Sequence, residues 1–408
     1  MDLDKKGKYD VIVVGAGISG LSFAYYCGRE GLSTLIIEKD RRVGGTLHSH
    51  SFEGLDGFWI ELGAHTCYNS YSNLLAIIEN CGILDQLTRR EKVPFRMLVN
   101  SGIKSIPSQL DFLELLRAAP HLFTLKQEGQ TVESYYSKIA GLSNFRRVIG
   151  PAINAVLSQT ADNFPAEFVF KKRRRRKDIL KKFTLSHGLQ TIAESVASQA
   201  AIQLITGEKV LAVTTRAGIF QVAAGEKLYE ADSLVVATPA SVASQLLRAS
   251  FPELSEKLAR IECVTVESMG TAINKQLVPI CPVAGLIPSS DSFYSVVTRD
   301  TVCHREYRGF TFHFKPGLLS REAKLERIAE VLGVDKGQLS RVVEKENMVP
   351  SLKSGHNALV GEIDQLISGR RLFVTGNYFG GMAIEDCVTR SLDEFERSKT
   401  FFGASHGG

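Results

Sequence analysis

The segment Gly15-Ala16-Gly17-Ile18-Ser19-Gly20 constrains the fold of this chain more than any other feature. It follows a short β-branched run, Tyr9–Val14, and leads into Ile18–Arg29, where apolar residues have helical spacing. In such a unit the first glycine permits a tight turn, the second lets the backbone approach a pyrophosphate, and the third lets helix and strand pack closely. We therefore predict a strand, a turn and a helix whose N-terminus binds dinucleotide phosphates.

A second β-branched run, Ser33–Ile37, completes a βαβ unit and ends at Glu38. The carboxylate of Glu38, 18 residues after Gly20, suits a ribose 2′-hydroxyl and would repel a 2′-phosphate. A glycine motif alone is weak evidence, but here strand, helix, strand and acid follow in register. The unit predicts a bound dinucleotide and does not separate NAD from FAD.

Two further glycine turns follow the acid. Each alone would be typical of a surface turn, but their order after the βαβ unit indicates more contacts with the same cofactor. We predict that the cofactor-binding residues of this stretch are Lys39, Arg42, Gly44, Gly45, Thr46, Gly63, Ala64, His65 and Thr66.

A fourth glycine turn lies near the C-terminus, between a predicted strand, Arg371–Thr375, and a helix predicted from Ala383 to about Ser398. Because glycines let the backbone approach a ligand, this turn also predicts cofactor contacts. The residues that we expect to make them are Gly376, Asn377, Gly381, Met382, Ala383 and Ile384.

The stretch from Glu38 to Thr46, followed by Glu61-Leu-Gly-Ala-His65, resembles the N-terminal signature of the flavin monoamine oxidase superfamily. The stretch from Met348 to Cys387, with its Pro, Gly-His, Gly-Asn-Tyr and Asp-Cys, is similar to the end of protoporphyrinogen oxidase-like FAD-dependent oxidoreductases. Phe183–Thr191 and Asp232–Pro239 resemble the middle of that family. The similarity is strong at both ends and loose between them.

This resemblance implies an α/β fold with non-covalently bound FAD. The FAD-binding domain would be Rossmann-like, of the two-dinucleotide-binding type, formed by residues 1–75, 186–262 and 350–408. A mixed α+β substrate domain would be inserted as residues 76–185 and 263–349. The helix after the C-terminal turn would point its positive end at the flavin and stabilise the negative charge of the reduced ring.

The resemblance also implies individual roles and a reaction. The backbone amide of Val210 would contact the adenine, and Arg96 would lie near a substrate carboxylate, although that alignment needs a one-residue gap and a surface arginine fits equally. Hydride would leave a C–H bond next to nitrogen or in a reduced ring of a small-molecule substrate, with O₂ or another acceptor reoxidising the flavin. No catalytic side chain is assigned, because the cofactor carries the chemistry.

Two other functions stay open. Redox-neutral flavin isomerases of the sugar-nucleotide mutase type share the N-terminal fold and have a Gly-x-His such as Gly63-Ala-His65. A non-catalytic flavin-bound scaffold, or a membrane-associated partner, is the third possibility. Monoamine oxidases frame the substrate with two aromatic residues, and the turn at Gly376–Gly381 does not look like theirs.

The segment Lys171–Lys182 has the highest charge density: nine of its twelve residues are basic, and only Asp178 is acidic. Such runs are usually solvated loops. An anionic membrane surface is the second interpretation, at about 1 kcal/mol per basic residue, and the apolar Leu110–Leu125 would then join the contact. Nucleic acid is not expected as a partner, because no reader fold or aromatic platform accompanies the run.

Composition limits the remaining classes. The chain has 408 residues, 44% apolar and 23% charged, with a net charge of +5, as in ordinary globular proteins. Its seven cysteines are scattered without a C-x-x-C, so reduced thiols are expected rather than disulfides or a metal site. Without a secretory signal or a spanning apolar run, we expect a cytoplasmic protein, peripheral on the inner face of a membrane if the basic run binds there.

Periodicity predicts the other elements. Helical patterns dominate from Asn73 to Lys182. The remaining strands are predicted at Ala201–Val213, Gly218–Ala223, Asp232–Ala237, Glu267–Leu277 and Phe310–Phe314, and the helices at Leu74–Asn80, Leu110–Ala119, Asn144–Ser158 and Ala323–Leu332.

Overall fold

The computed structural model describes residues 8–100 and 102–402. The strands are β1 Tyr9–Val14, β2 Thr34–Glu38, β3 Ser49–Ser51, β4 Trp59–Glu61, β5 Cys67–Tyr68, β6 Leu87–Arg89, β7 Phe95–Val99, β8 Gly102–Ser105, β9 Lys182–Leu185, β10 Ile202–Thr206, β11 Val210–Arg216, β12 Ile219–Ala224, β13 Lys227–Val236, β14 Cys263–Asn274, β15 Gly285–Pro288, β16 Phe293–Thr298, β17 Tyr307–Phe314, β18 Val342–Pro350 and β19 Leu372–Val374.

The α-helices alternate with these strands in the first and last parts of the chain and cluster in its middle. They are α1 Ile18–Arg29, α2 Ser72–Asn80, α3 Phe112–Ala118, α4 His121–Thr124, α5 Val132–Ala140, α6 Leu142–Asn144, α7 Gly150–Leu157, α8 Gln190–Ala197, α9 Ala240–Leu247, α10 Pro252–Ala259, α11 Arg321–Leu332, α12 His356–Ile367 and α13 Ile384–Phe402.

The first sheet has the strand order β10-β2-β1-β13-β12-β11, with β19 also paired to β13. The pairs around β1 are parallel, with Val11 opposite Thr34 on one side and Ser233 on the other. Strands buried on both faces need uninterrupted apolar residues, and Val11, Ile12 and Val13 are fully buried. The predicted βαβ unit is confirmed, with β2 one residue later than predicted.

The second sheet has the order β18-β14-β17-β16-β15-β7-β8 and is antiparallel apart from the pair of β7 and β15. One face packs against α11 through an aromatic cluster that includes Phe310, Phe312 and Phe314. The opposite face, which carries Ser268 and Thr311, turns toward β4. This sheet therefore presents one apolar face and one polar face.

The segment from Asn73 to Lys182 is only partly as predicted. Helices α2 to α7 lie there, and a π-helical turn, Phe145–Ile149, joins α6 to α7 into the continuous helix expected over Asn144–Ser158. Strands β6, β7 and β8 also lie there, over Leu87–Ser105, and the sequence patterns did not predict them. These strands are short and pair with distant residues such as Gly285, a contact that local periodicity does not encode.

Helix α13 brings the C-terminal part of the chain back onto the first βαβ unit. Phe395 of α13 packs edge-on against Phe23 of α1, with ring centroids 5.8 Å apart. The hydroxyl of Ser391 donates to the carbonyl of Ser19, 2.8 Å away. The N-terminal turns of α1 and α13 therefore lie side by side.

Over residues 8–100 and 102–402, no helix combines the length and apolar character needed to span a bilayer. All seven cysteines lie in that range, and none is within a disulfide there.

Candidate functional site

The first glycine turn leaves no room for side chains on its inner side. Gly15 has φ +104°, a conformation that favours glycine, and a Cβ there would lie 2.8 Å from the Ala237 carbonyl oxygen. A Cβ on Gly20 would lie 2.0 Å from the oxygen of Gly15. At Gly17 nothing lies within 4 Å of an added Cβ. The turn is therefore closed toward the protein and open at Gly17, where a ligand can approach the backbone.

The next two predicted turns join the first. The amide of Gly44 donates to the Ala16 carbonyl at 2.8 Å, and Gly17 and Gly44 form an isolated parallel bridge. The amide of Ala64 donates to the Thr46 carbonyl at 3.1 Å, and a Cβ on Gly63 would lie 2.1 Å from the Thr46 oxygen. Three glycine turns that are distant in sequence therefore form one continuous surface.

Glu38 is buried at the end of β2 and faces the first turn. One carboxylate oxygen accepts from the Ala16 amide at 2.7 Å and the other from the Asp40 amide at 2.9 Å. The Glu208 amide donates to the Glu38 carbonyl at 3.0 Å, which places the start of β11, and so Val210, near this acid. The ribose and adenine contacts assigned to Glu38 and Val210 stay predictions, as does that of Lys39, which is exposed.

A group of desolvated cations surrounds the Gly44–Gly45 turn. Arg42 donates to the carbonyls of Val43 at 2.9 Å and Gly45 at 2.5 Å, and Lys345 of β18 donates to the same Gly45 oxygen at 2.6 Å. Burial lowers the pKa of Arg42, and burial together with Arg42 lowers the pKa of Lys345 to about 7.

The acids that act on these cations, Glu38, Asp40, Glu61 and Glu194, form no salt bridge with them among the described residues. Desolvated cations without a paired anion are costly, and the two charges of a pyrophosphate are the complement that they lack. The residues therefore fit the diphosphate of a dinucleotide. Sequence analysis did not single out Lys345, because it lies 300 residues from Gly45 in an unremarkable strand.

The C-terminal turn requires glycine at one position. Gly381 has φ +123°, and a Cβ there would lie 2.8 Å from a carboxylate oxygen of Asp386. The preceding β19 pairs in parallel with β13, and the Thr375 amide donates to the Val236 carbonyl at 3.1 Å. The turn therefore connects the middle of the first sheet to the N-terminus of α13, next to α1.

The basic run is not wholly a solvated loop, which corrects the first interpretation of it. Arg173 forms a 2.6 Å salt bridge with Asp386, and Lys171 contacts both Asp386 and the carbonyl of Gly380. Arg176 pairs with Glu79 at 2.8 Å, and its amide donates to the Asn69 carbonyl. The exposed basic side chains of the run are Lys172, Arg174, Arg175, Lys177, Lys181 and Lys182.

The polar face of the second sheet is bonded to the Glu61–Leu62 segment, directly before the third glycine turn. The hydroxyl of Thr311 donates to the Glu61 carbonyl at 2.8 Å, and the Asn347 amide group donates to the Leu62 carbonyl at 2.8 Å and to Ser268 at 3.1 Å. This network joins the two sheets beside Gly63.

The histidines beside this network are neutral at physiological pH. Burial lowers the pKa of His313, which bonds to Ser268 at 2.9 Å, to about 4, and it lowers the pKa of His65 to about 3. Burial also raises the pKa of Glu61 to about 7, against hydrogen bonds from Leu189 and Ser49. The polar face therefore offers hydrogen bonds with little fixed charge.

Arg96 is half-buried on β7 and pairs with Leu286. It shares a face of the strand with Leu98, which packs against the aromatic cluster on the α11 side. Its predicted substrate contact stays a prediction. Two other arginines, Arg90 and Arg299, lie next to His65 instead, and sequence analysis did not single them out because neither belongs to a recognisable motif.

The sequence profile of one protein family, described as flavin containing amine oxidoreductase, matches residues 18–277. That range is more than half of the 408 residues. The chain belongs to the flavin containing amine oxidoreductase family. The resemblance predicted from the glycine turns is thereby confirmed, and the protein is an FAD-dependent oxidoreductase.

Several similar proteins match over nearly the whole length of both chains. The chain is 23% identical to protoporphyrinogen oxidase of Bos taurus, over 93% of this chain and 96% of that protein. A solved structure from Exiguobacterium sp. 255-15, described as a protoporphyrinogen oxidase, has a TM-score of 0.78 at 19% identity and covers 97% of this chain and 100% of that chain. Reduced UDP-galactopyranose mutase has a TM-score of 0.73 at 13% identity, with 98% and 96% covered. The predicted α/β FAD-binding fold is confirmed.

Proposed function

We propose that the protein oxidises a small molecule by removing hydride from a C–H bond next to nitrogen or in a partly reduced ring. The observation that carries this proposal is the convergence of the glycine turns from both ends of the chain beside the N-termini of α1 and α13. When bound, FAD supplies the two-electron acceptor for such chemistry. The protein's part is to hold and orient the substrate.

The side chains that we assign to the substrate side are those on the polar face of the second sheet. Ser268, Thr311 and Asn347 are fixed by hydrogen bonds, and His313 is neutral. Fixed dipoles with little charge suit the orientation of a substrate for hydride transfer without a charged acid or base from this face. We also propose that the chain divides into the predicted FAD-binding domain and substrate domain.

Within this reaction class, a partly reduced ring such as that of a porphyrinogen is our first candidate substrate, and a cyclic amine is the second. The full-length similarity to protoporphyrinogen oxidases supports this order. O₂ or another oxidant would then accept the electrons.

The experiment that tests the reaction is anaerobic reduction of the flavin by a panel of compounds. Protoporphyrinogen, coproporphyrinogen and several cyclic amines are mixed in turn with the holoprotein, and bleaching of the flavin absorbance is followed in a stopped-flow instrument. We expect one class to bleach the flavin at least about tenfold faster than buffer. If no compound does so, the proposed reaction is wrong.

A redox-neutral isomerase is the second candidate, and the fold shared with UDP-galactopyranose mutase is the observation that favours it over a non-catalytic scaffold. Such an enzyme needs its flavin reduced beforehand and gives no net oxidation. The same panel is therefore repeated with dithionite-reduced protein and a sugar nucleotide. Isomerisation of the sugar nucleotide by the reduced protein, with no net change in the redox state of the flavin, would replace the oxidase proposal.

We further propose that the exposed basic residues of Lys171–Lys182 bind an anionic membrane surface. Several apolar side chains on α3 and α4 are more than half exposed and suit contact with a lipid interface: Phe112, Leu113, Leu116, Leu122 and Phe123. Basic residues near anionic lipid contribute about 1 kcal/mol each, and salt weakens the attraction.

The vesicle test replaces Arg174, Arg175 and Lys177 with Ser, because these side chains are exposed whereas Arg173 and Arg176 form internal salt bridges. A control with the same charge change replaces the exposed Arg216, Lys227 and Lys275. We expect wild type and control to co-sediment with anionic but not neutral vesicles at low salt, and the first variant to stay in solution. Equal sedimentation of both variants would leave the run as a surface feature only.

A further inference from the structure

A small cavity lies between β4 and the second sheet, next to the Gly63–His65 turn. Its lining includes Arg90, Arg299, Glu61, Trp59 and His65. The cavity has a volume of about 20 Å³, and such a space takes a group the size of a water molecule, such as a carboxylate oxygen, rather than a whole ring.

Arg299 is held rigidly in this lining but has unused donors. Its guanidinium stacks on the rings of Phe58 and Trp59, at 4.8 and 4.7 Å from their centroids. One terminal nitrogen donates to the Val302 carbonyl at 2.7 Å, whereas its Nε is buried without a partner. A buried donor that is left unpaired costs free energy unless a ligand accepts its hydrogen.

Arg90 is the second cation of the cavity. One of its terminal nitrogens donates to the carbonyl of His65. Burial lowers the pKa of Arg90, and it lowers the pKa of Arg299 to about 10, so the surroundings of both side chains disfavour the charged form. Two guanidinium groups therefore line one cavity in which an anion would favour their charged forms.

The protein supplies one partial counter-charge. Glu61 is the carboxylate of the cavity lining, and its two oxygens already accept hydrogen bonds from Ser49 and the Leu189 amide, each at 2.8 Å. Burial raises the pKa of Glu61 to about 7, and His65 is neutral. Tyr68 and Cys67 also lie near Arg90, and burial raises the pKa of both side chains, which keeps them neutral at pH 7. The cavity is left with a net positive charge.

We propose that this cavity is a carboxylate-binding subsite and that Arg90 and Arg299 anchor an acidic substituent of the substrate. The term substrate rests on the proposed function, whereas the binding of a carboxylate does not. The substrate class is an acid whose carboxylate enters the cavity while the carbon to be oxidised lies outside it, beyond His65. Amines that lack a carboxylate would lose this contact.

The chain carries its own reporter for this site, because Trp59 is its single tryptophan. Trp59 stacks on Arg299, and its indole nitrogen donates to the Ser186 carbonyl at 2.8 Å. The holoprotein is titrated with sodium acetate replacing sodium chloride at constant ionic strength, and with acetamide, which has the same shape without the charge. We expect acetate to change Trp59 fluorescence saturably and acetamide to bind about tenfold or more weakly.

Variants assign the effect to the two arginines. Arg299→Gln and Arg90→Gln should each weaken acetate binding about tenfold or more, and Arg299→Lys, which keeps the charge, should restore part of it. The control is Arg305→Gln, since Arg305 is 72% exposed and pairs with Asp56 and Glu306 at the surface. It should bind acetate like wild type. If Arg299→Gln does not fold, Arg90→Gln carries the same test.

Two results would overturn the proposal: equal binding of acetate and acetamide, or acetate binding that neither arginine variant weakens. Binding of inorganic phosphate or chloride as tightly as acetate would also overturn it, because the site would then select any anion. Failure of the proposed reaction is separate. In that case no compound bleaches the flavin, although acetate still binds through Arg90 and Arg299.

Discussion

Two cations beside the second glycine turn indicate most directly what this site binds. Arg42 and Lys345 converge on the Gly45 carbonyl from opposite ends of the chain. Their charges are disfavoured by burial until an anion arrives. An anionic ligand would favour the charged forms of both side chains, so their titration reports whether the ligand is present.

Lys345 gives a pH dependence of stability with a defined sign. Its pKa is about 7 in the folded protein, compared with 10.5 in the unfolded chain. Between these values the unfolded chain binds more protons, so flavin-free protein should gain stability as the pH rises from about 7 to about 10. Thermal unfolding of flavin-free protein across that range measures it.

The matched variant is Lys345→Met, which should lose the rise. Added FAD should also reduce it in wild type, since a pyrophosphate would favour the charged lysine. A melting temperature of flavin-free wild type that is flat or falls across this range, relative to Lys345→Met, would contradict the assignment of Lys345.

Glu38 is predicted to contact the ribose of the cofactor. Glu38→Ala removes a buried acceptor at the end of β2, and we expect FAD binding to weaken by about 1.5–3 kcal/mol. Fluorescence titration of flavin-free protein with FAD measures the change, with the exposed Glu226→Ala as control. Equal affinity in the two variants would show that Glu38 does not hold the ribose.

Among the elements, those with local signals were predicted and those formed by distant pairing were not. Strand β1 and helix α1 were predicted to the residue, because glycine turn, β-branched run and helical spacing lie within one short segment. Strands β7, β15, β16 and β18 were missed. Each depends on neighbours far away in sequence, such as Phe95 with Gly285.

The candidate site divides in the same way. The glycines of all four turns were found, because each turn has its own sequence pattern. Lys345, Arg90 and Arg299 were not singled out, because only the folded chain brings these isolated cations next to Gly45 and His65. The basic run was recognised by its charge, but its salt bridges to Asp386 require α13 to be in place.

The C-terminal turn offers a matched pair of substitutions at the scale of one element. Gly381→Ala forces a side chain into a backbone conformation with φ +123° and toward Asp386, whereas at Gly380 an added Cβ has no neighbour closer than 3.9 Å. We expect Gly381→Ala, at about 1–3 kcal/mol of strain, to shift the flavin spectrum or lose the flavin. Gly380→Ala should keep it.

Absorbance spectra of the two purified proteins, with thermal unfolding as a check on folding, measure this difference. A normal spectrum and a normal rate of flavin reduction in Gly381→Ala would place the turn away from the cofactor.

At the scale of the whole molecule, the two ends of the chain build one site. The first βαβ unit, the middle strand β13 and the last strand β19 share one sheet, and α13 closes on α1. The second sheet attaches to this assembly through Thr311 and Asn347 at the Glu61–Leu62 segment. This arrangement brings residues that are far apart in the sequence next to the first glycine turn.

The most direct test of this account is the identity and attachment of the cofactor. The purified protein is precipitated with acid, and the supernatant is analysed for FAD, FMN and NAD by chromatography. The sequence does not indicate a flavin-linking cysteine or histidine, so we expect about one FAD per chain, all of it in the supernatant. A pellet that remains yellow, or a supernatant that contains FMN or NAD in place of FAD, would contradict the central claim.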